Sequence, residues 1–197
     1  MIKYFAIIFL LFLLNSCSKN GDNIVNPYFK QVDFGDTTNA IFLSSFEQNG
    51  TPSLNGWNSW GSLSTSTYSF SDDVPIGGGN WSLQLKGAVH KDIGVIATID
   101  LYPFDSLKNY IVTFWAKGKG YVTISMDAPD RGIVSFPNVN CNSWTLFADT
   151  LFRQDVAWNK LSVLLTESDP DSLNYVLFDN IKVVVKLNIK SINGKKN

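Results

Sequence analysis

From residue 40 onward the chain is written in short apolar runs, and in the clearest of them every second residue is apolar. Ile93, Val95, Ala97, Ile99 and Leu101 form one such row. In Trp158–Leu165 the residues Trp158, Lys160 and Ser162 fall on one face, against Leu161, Val163 and Leu165 on the other. A period of two sends one row of side chains inward and the next toward water, as in antiparallel sheets. Runs rich in Val, Ile, Thr and aromatics predict strands at Ile41–Phe46, Leu63–Phe70, Trp81–Lys86, Ile93–Leu101, Tyr110–Lys117, Tyr121–Met126, Ile133–Phe136, Trp144–Phe147, Trp158–Leu165 and Tyr175–Val185. Gly, Asn, Asp and Pro clusters separate them. No stretch of ten or more residues shows helical periodicity. The prediction is an all-β, two-sheet antiparallel β-sandwich, a jelly roll of about ten strands without substantial helix.

The chain's two ends have a different texture. Met1–Ile2–Lys3 opens with a positive charge, and Tyr4–Leu14 is an unbroken apolar run. Crossing a bilayer takes about 20 apolar residues, so the run predicts an export signal rather than a span. It stops at Leu14–Asn15–Ser16–Cys17, which resembles the lipobox of bacterial lipoproteins; Asn15 departs from the commoner choice there. The resemblance implies a signal peptide over residues 1–16 and a lipid on Cys17. Residues 17–39 are polar and rich in Asn, Asp and Gly, and read as a flexible tether. The sandwich is expected over residues 40–186 and a frayed tail over 187–197. The implied location is a bacterial outer membrane or cell surface, reached through the lipid anchor.

Composition removes several classes of function. Sixteen Lys+Arg against 17 Asp+Glu give a net charge of −1. A nucleic-acid binder needs a basic stripe to displace phosphate counterions, so no nucleic-acid partner is expected. The chain holds one histidine, His90, in a turn-like Gly87–Asp92 stretch, and this rules out His pairs. Lipidation of Cys17 would leave Cys141 unpaired, a half-buried loop thiol rather than a nucleophile. Gly77–Gly78–Gly79 precedes a strand, not a helix, so a hairpin turn with positive φ accounts for it better than a phosphate cradle.

Three segments resemble the jelly-roll carbohydrate-binding modules attached to bacterial glycanases, which are galactose-binding-like sandwiches. The first is Ser45–Gly50 followed by Gly56-Trp57-Asn58-Ser59-Trp60-Gly61. The second joins Trp81–Leu85 to Tyr110–Lys117, and the third is Tyr175-Val176-Leu177-Phe178-Asp179-Asn180-Ile181-Lys182-Val183. The resemblance covers residues 40–186. It implies that the first and last strands are neighbours, with Glu47 and Asp179 joining backbone carbonyls around a structural calcium ion. Ca²⁺ takes six to eight oxygens at about 2.3–2.6 Å, a set that carboxylates and main-chain carbonyls supply. Exposed turn carboxylates bonded to local backbone are the alternative.

In such modules a sugar ring stacks its C–H face on an aromatic while planar polar groups take its hydroxyls. Trp57, Trp81, Trp115 and Trp158 match core or strand-anchoring positions of the resemblance. Trp60, three residues after Trp57 in a Ser/Asn/Gly loop, matches an aromatic on the binding side. Trp144 is a second loop aromatic, and Tyr68 and Gln84 are candidates to line the same face. Arg131, in the loop Asp127–Gly132, could fork onto hydroxyls or stay solvated. The expected function is non-catalytic binding of a polysaccharide or oligosaccharide, which would concentrate glycan near degrading enzymes or transporters. A structural or protein-adhesive sandwich is the rival. A glycoside hydrolase needs two facing carboxyl groups about 5–9.5 Å apart, yet the chain has two Glu in all, Glu47 and Glu167. No enzyme and no catalytic residue are expected.

Overall fold

The computed structural model describes residues 30–86, 93–101, 108–126, 132–151, 160–167 and 174–187. Its strands are β1 (Ala40–Ser44), β2 (Glu47–Gln48), β3 (Thr51–Pro52), β4 (Asn58–Gly61), β5 (Tyr68–Ser71), β6 (Ser82–Lys86), β7 (Ile93–Asp100), β8 (Lys108–Met126), β9 (Gly132–Leu151), β10 (Lys160–Glu167) and β11 (Tyr175–Leu187). The protein is all-β and forms an antiparallel sandwich, as the alternation predicts. Hydrogen bonds run along the path β4-β7-β10-β8-β11-β6-β5, with β1 on β11 and β9 on β8.

That path makes two layers because β8 changes partner midway. As far as Gly118 it pairs with β11, and from Tyr121 it pairs with β10. Layer A therefore holds β5, β6, β11, β1 and the first part of β8. Layer B holds β4, β7, β10 and the second part of β8. β9 follows β8 around the corner. Glycine makes the corner possible. At Gly118 (φ +105°) a Cβ would collide with the Tyr175 carbonyl, and at Gly120 it would meet the Thr166 carbonyl oxygen at 2.7 Å. Sequence reasoning predicts two strands here, because glycines at a bend resemble a turn, and two more across β9, where the polar residues Asn138, Asn140, Asn142 and Ser143 interrupt the apolar pattern.

The core lies between the layers. Leu83, Leu85, Val112, Phe114, Val176 and Phe178 from layer A meet Val95, Ala97, Val122, Val163 and Leu165 from layer B. Each of these is fully buried, and each large side chain contributes about 1.5–3 kcal/mol by leaving water. Phe114 also stacks on Phe147 with centroids 5.1 Å apart. Trp57 is buried against Phe42 and Phe46 and donates its indole N–H to Ser44 Oγ at 2.8 Å, which fits its expected core role.

Two expectations are revised. Residues 30–39 are not a free tether. Val32 bridges Gly78, Asp33 N–H donates to the Gly77 carbonyl at 2.8 Å, and Val185 N–H donates to Asn39 O at 3.0 Å. Lys182 Nζ donates to the carbonyls of Phe34 and Asp36. The second revision concerns Asn58–Gly61, expected as a loop, which forms the edge strand β4. An edge strand buries no full face there, so the segment carries no apolar alternation to betray it.

Candidate functional site

Glu47 and Asp179 converge on one corner of layer A. Glu47 opens the short β2–β3 hairpin, and Asp179 sits in β11 where its register with β8 shifts. Both point at the triglycine of the β5–β6 connection. A Cβ on Gly78 would collide with Asp179 Oδ2, and one on Gly79 with Glu47 Oε1. Gly77 and Gly79 take φ values of +77° and +71°, the positive-φ turn expected of this stretch. Phe46 (φ +57°) and Asn180 (φ +47°), each beside one of the carboxylates, hold left-handed backbone as well. For non-glycine residues that conformation costs about 1–2 kcal/mol each, and such strain gathers at functional positions.

The oxygens at this corner divide into satisfied and unsatisfied. Glu47 Oε2 accepts from the backbone N–H groups of Asn80 (2.7 Å) and Trp81 (3.1 Å). Asp179 Oδ1 accepts from Asn180 N–H at 2.8 Å. Asp179 is fully buried, and its Oδ2 has no hydrogen-bond partner. Neither has Asn180 Oδ1, because the amide nitrogen of that side chain is the part in use, donating to the Gly77 carbonyl at 3.1 Å. Burial pushes the Asp179 carboxyl up to about 9, against the Asn180 hydrogen bond that lowers it, and the Glu47 charge raises it further. Without a partner this burial favours the neutral acid, and a hard cation is a partner that would restore the charged form by offsetting the several kcal/mol that burying a lone carboxylate costs. Among the described residues no group of three or more His, Cys, Asp or Glu side chains could hold a metal. The corner instead offers two carboxylates and an amide oxygen, a donor set suited to calcium and not to a softer metal. Asn180 was not anticipated from sequence.

Trp60 lies elsewhere, on the outer side of layer B. It is directly opposite Gly94 of β7, and Asn58 is opposite Ile96. The inward row of β7 is Ile93, Val95, Ala97 and Ile99, all buried, so Gly94, Ile96, Thr98 and Asp100 face outward. Trp60 is half-buried, and Asn58, Thr98 and Asp100 are exposed on the same face. Ser162, Leu164 and Thr166 of β10 continue that face and are buried.

The other expected ligand residues do not join Trp60. Gln84 lies on the outer face of layer A, where its Oε1 accepts from Ser69 Oγ at 2.8 Å. Tyr68 is opposite Leu85, whose side chain is wholly buried, and Tyr68 packs against the core. Since side chains alternate, Tyr68 and Gln84 face opposite ways, which corrects the expectation that they line one face. Trp144 also belongs to layer A. Its indole N–H donates to Asp73 Oδ1 at 2.8 Å, while Lys117 Nζ pairs with Asp73 Oδ2 at 2.6 Å. Partial burial works to raise the Asp73 pKa, but the hydrogen bonds from Lys117 and Trp144 outweigh it and hold it below 3.8. The Asp73 hydrogen bond in turn raises Lys117. Cys141 is half-buried and its Sγ contacts Ala116 O at 3.3 Å, in keeping with an unpaired structural thiol. Arg131, His90, Trp158 and Cys17 lie outside the described residues.

No protein-family model matches the sequence, and no curated protein does either. Solved structures share the fold. The C-terminal family 22 carbohydrate-binding module of Clostridium thermocellum Xyn10B aligns at TM-score 0.53 and 14% identity, over 77% of this chain and 97% of the module. The Stig cyclase Fisc from Fischerella sp. TAU aligns at TM-score 0.54 and 13% identity, over 67% of this chain and 85% of the cyclase. The enzymatically active domain of bacteriophage CBA120 tailspike protein 4 aligns at TM-score 0.53 and 17% identity, over 81% of this chain but only 22% of that domain. These likenesses establish a β-sandwich architecture that binding modules and enzymes both use.

Proposed function

We propose that the protein is a non-catalytic glycan-binding module whose stacking surface is the outer side of layer B at Trp60. The observation that carries this reading is the placement of Trp60 on an edge strand, on the outward face it shares with the exposed Asn58, Thr98 and Asp100. An indole face with open polar groups alongside suits a pyranose, whose C–H groups stack while its hydroxyls find planar acceptors and donors. The fold shared with a family 22 carbohydrate-binding module supports it. Of the two glutamates, Glu167 is buried and Glu47 is bonded to backbone, which disfavours a hydrolase pair. The test is retention on a panel of insoluble polysaccharides. Wild type is expected to be held and Trp60→Ala to pass through; equal retention of both, or turnover of any glycan by wild type, overturns the reading.

In the same proposal, calcium at the Glu47–Asp179 corner is structural. Glu47, Asp179 Oδ2 and Asn180 Oδ1 would hold it, and it would neutralise the buried carboxylate. Cys17 would carry a lipid anchor on a bacterial outer membrane or cell surface, which loss of labelled-lipid incorporation in Cys17→Ala would support. A protein-adhesive role has its own observation: β1 pairs with β11 and displays Ile41 and Leu43 at 38% and 42% exposure. Capture of glycan by wild type decides against it.

A further inference from the structure

Layer A has a cleft of about 210 Å³ where β8 turns the corner, and Lys117, Asn140, Cys141, Asn142, Asn174 and Tyr175 line it, with Gly118 and Lys119. Two departures from regular pairing build it. Ala116 is opposite Thr145 and Gly118 opposite Cys141, so Asn142, Ser143 and Trp144 stand against the one residue Lys117. This is a β-bulge in β9, a device found next to binding sites because it re-aims side chains. On the other flank, the Tyr175 backbone approaches Gly118 so closely that no Cβ fits between them.

We infer that this cleft is a second carbohydrate site, taking one terminal sugar ring rather than the middle of a chain. Its volume is below the roughly 300–1,000 Å³ of pockets for drug-sized ligands, so it admits one ring. Tyr175 is 40% exposed and Asn140 and Asn142 are exposed, so an aromatic and planar amides are open to solvent together. An amide both donates and accepts, which is what paired sugar hydroxyls require. Lys117 is paired with Asp73 at 2.6 Å, and the Asn140, Asn142 and Asn174 amides supply neutral hydrogen-bonding groups to the lining. This inference shares with the proposed function the glycan nature of the ligand, but none of its residues belongs to the Trp60 face.

The full-length protein is titrated with the methyl glycosides of glucose, galactose, mannose, xylose, N-acetylglucosamine and glucuronic acid, followed by amide chemical shifts. Saturable shifts at Gly118 and at the Asn142 and Asn174 side-chain amides are expected with at least one glycoside. Affinity should drop about tenfold in Tyr175→Ala, the effect of about 1.4 kcal/mol, and also fall in Asn142→Ala, while Trp60→Ala leaves it unchanged. The inference is overturned if no glycoside shifts those amides, or if both variants bind as wild type does. Because the probes are single rings, polysaccharide retention lost only in Trp60→Ala would then leave the Trp60 reading standing. Shifts at the cleft without any polysaccharide retention would do the reverse.

Discussion

The Glu47–Asp179 corner and the Trp60 strip are built on opposite terms. At the corner, two carboxylates and an amide oxygen are held by left-handed backbone, by glycines that exclude any Cβ, and by complete burial of Asp179. The strip has one half-buried indole on an edge strand, opposite a glycine in register, with the exposed Asn58, Thr98 and Asp100 on the same face. At the corner, burial holds Asp179 as the neutral acid until a cation restores its charge. The strip needs nothing to be stable, and its cost would be negligible if it did nothing. A change at the corner should therefore register in folding, and one at the strip in binding.

Substitution of Gly79 should have the largest effect. Gly79→Val forces a branched side chain to φ +71° and into Glu47 Oε1, and a loss of about 3 kcal/mol or more is expected in urea unfolding. A loss below about 1 kcal/mol would show the corner to be loosely built. Chelation comes next. A site that is 100-fold saturated adds about 2.7 kcal/mol, so removing calcium should lower the melting temperature by about 5–10 °C at this chain length. Asp179→Asn should abolish the dependence on calcium; no shift on chelation in wild type would remove the metal from the account.

Trp60→Ala should reverse this pattern, with a melting shift within about 2 °C but at least a tenfold loss of polysaccharide affinity. A collapse in stability would mean that the indole is a packing residue. The smallest effect belongs to Asp73. Its folded pKa lies below the unfolded 3.8 and that of Lys117 above 10.5. The pair's contribution is therefore full between those values. It is lost as pH falls through the lowered Asp73 pKa and again as pH rises through that of Lys117. Both side chains are partly exposed, at 39% and 26%, so the contribution is about 0.2–1 kcal/mol. Asp73→Ala should flatten the acid limb of the stability profile by that amount and leave Trp60-dependent retention intact.

Much of the fold could be read along the chain because burial writes itself as alternation. The predicted Ile93–Leu101 strand matches β7 to within a residue, since its inward row is wholly apolar. Alternation says nothing where burial is partial. It misses β4, whose Asn58, Ser59 and Gly61 are exposed, and it breaks β8 at the glycines of the corner. The pairing of Glu47 with Asp179 is implied by the family resemblance and not by spacing, for the two residues are brought together by β1 pairing with the distant β11. Gly78 and Gly79 read as an ordinary turn; their closeness to the carboxylates appears only in three dimensions. The Tyr175 cleft gave no signal at all, because a tyrosine opening a strand looks like any other.

The fastening of residues 30–39 has a mechanical consequence. If the chain is anchored ahead of this segment, a tug from that side would load the Asp33–Gly77 and Val32–Gly78 attachments and the grip of Lys182 on two carbonyls. The first two of these end on the very turn that cradles the acidic corner. Strain from such an anchor would thus load the Glu47–Asp179 corner before it reached the hydrophobic interior, and a cation held there as proposed would act as the rivet that resists it.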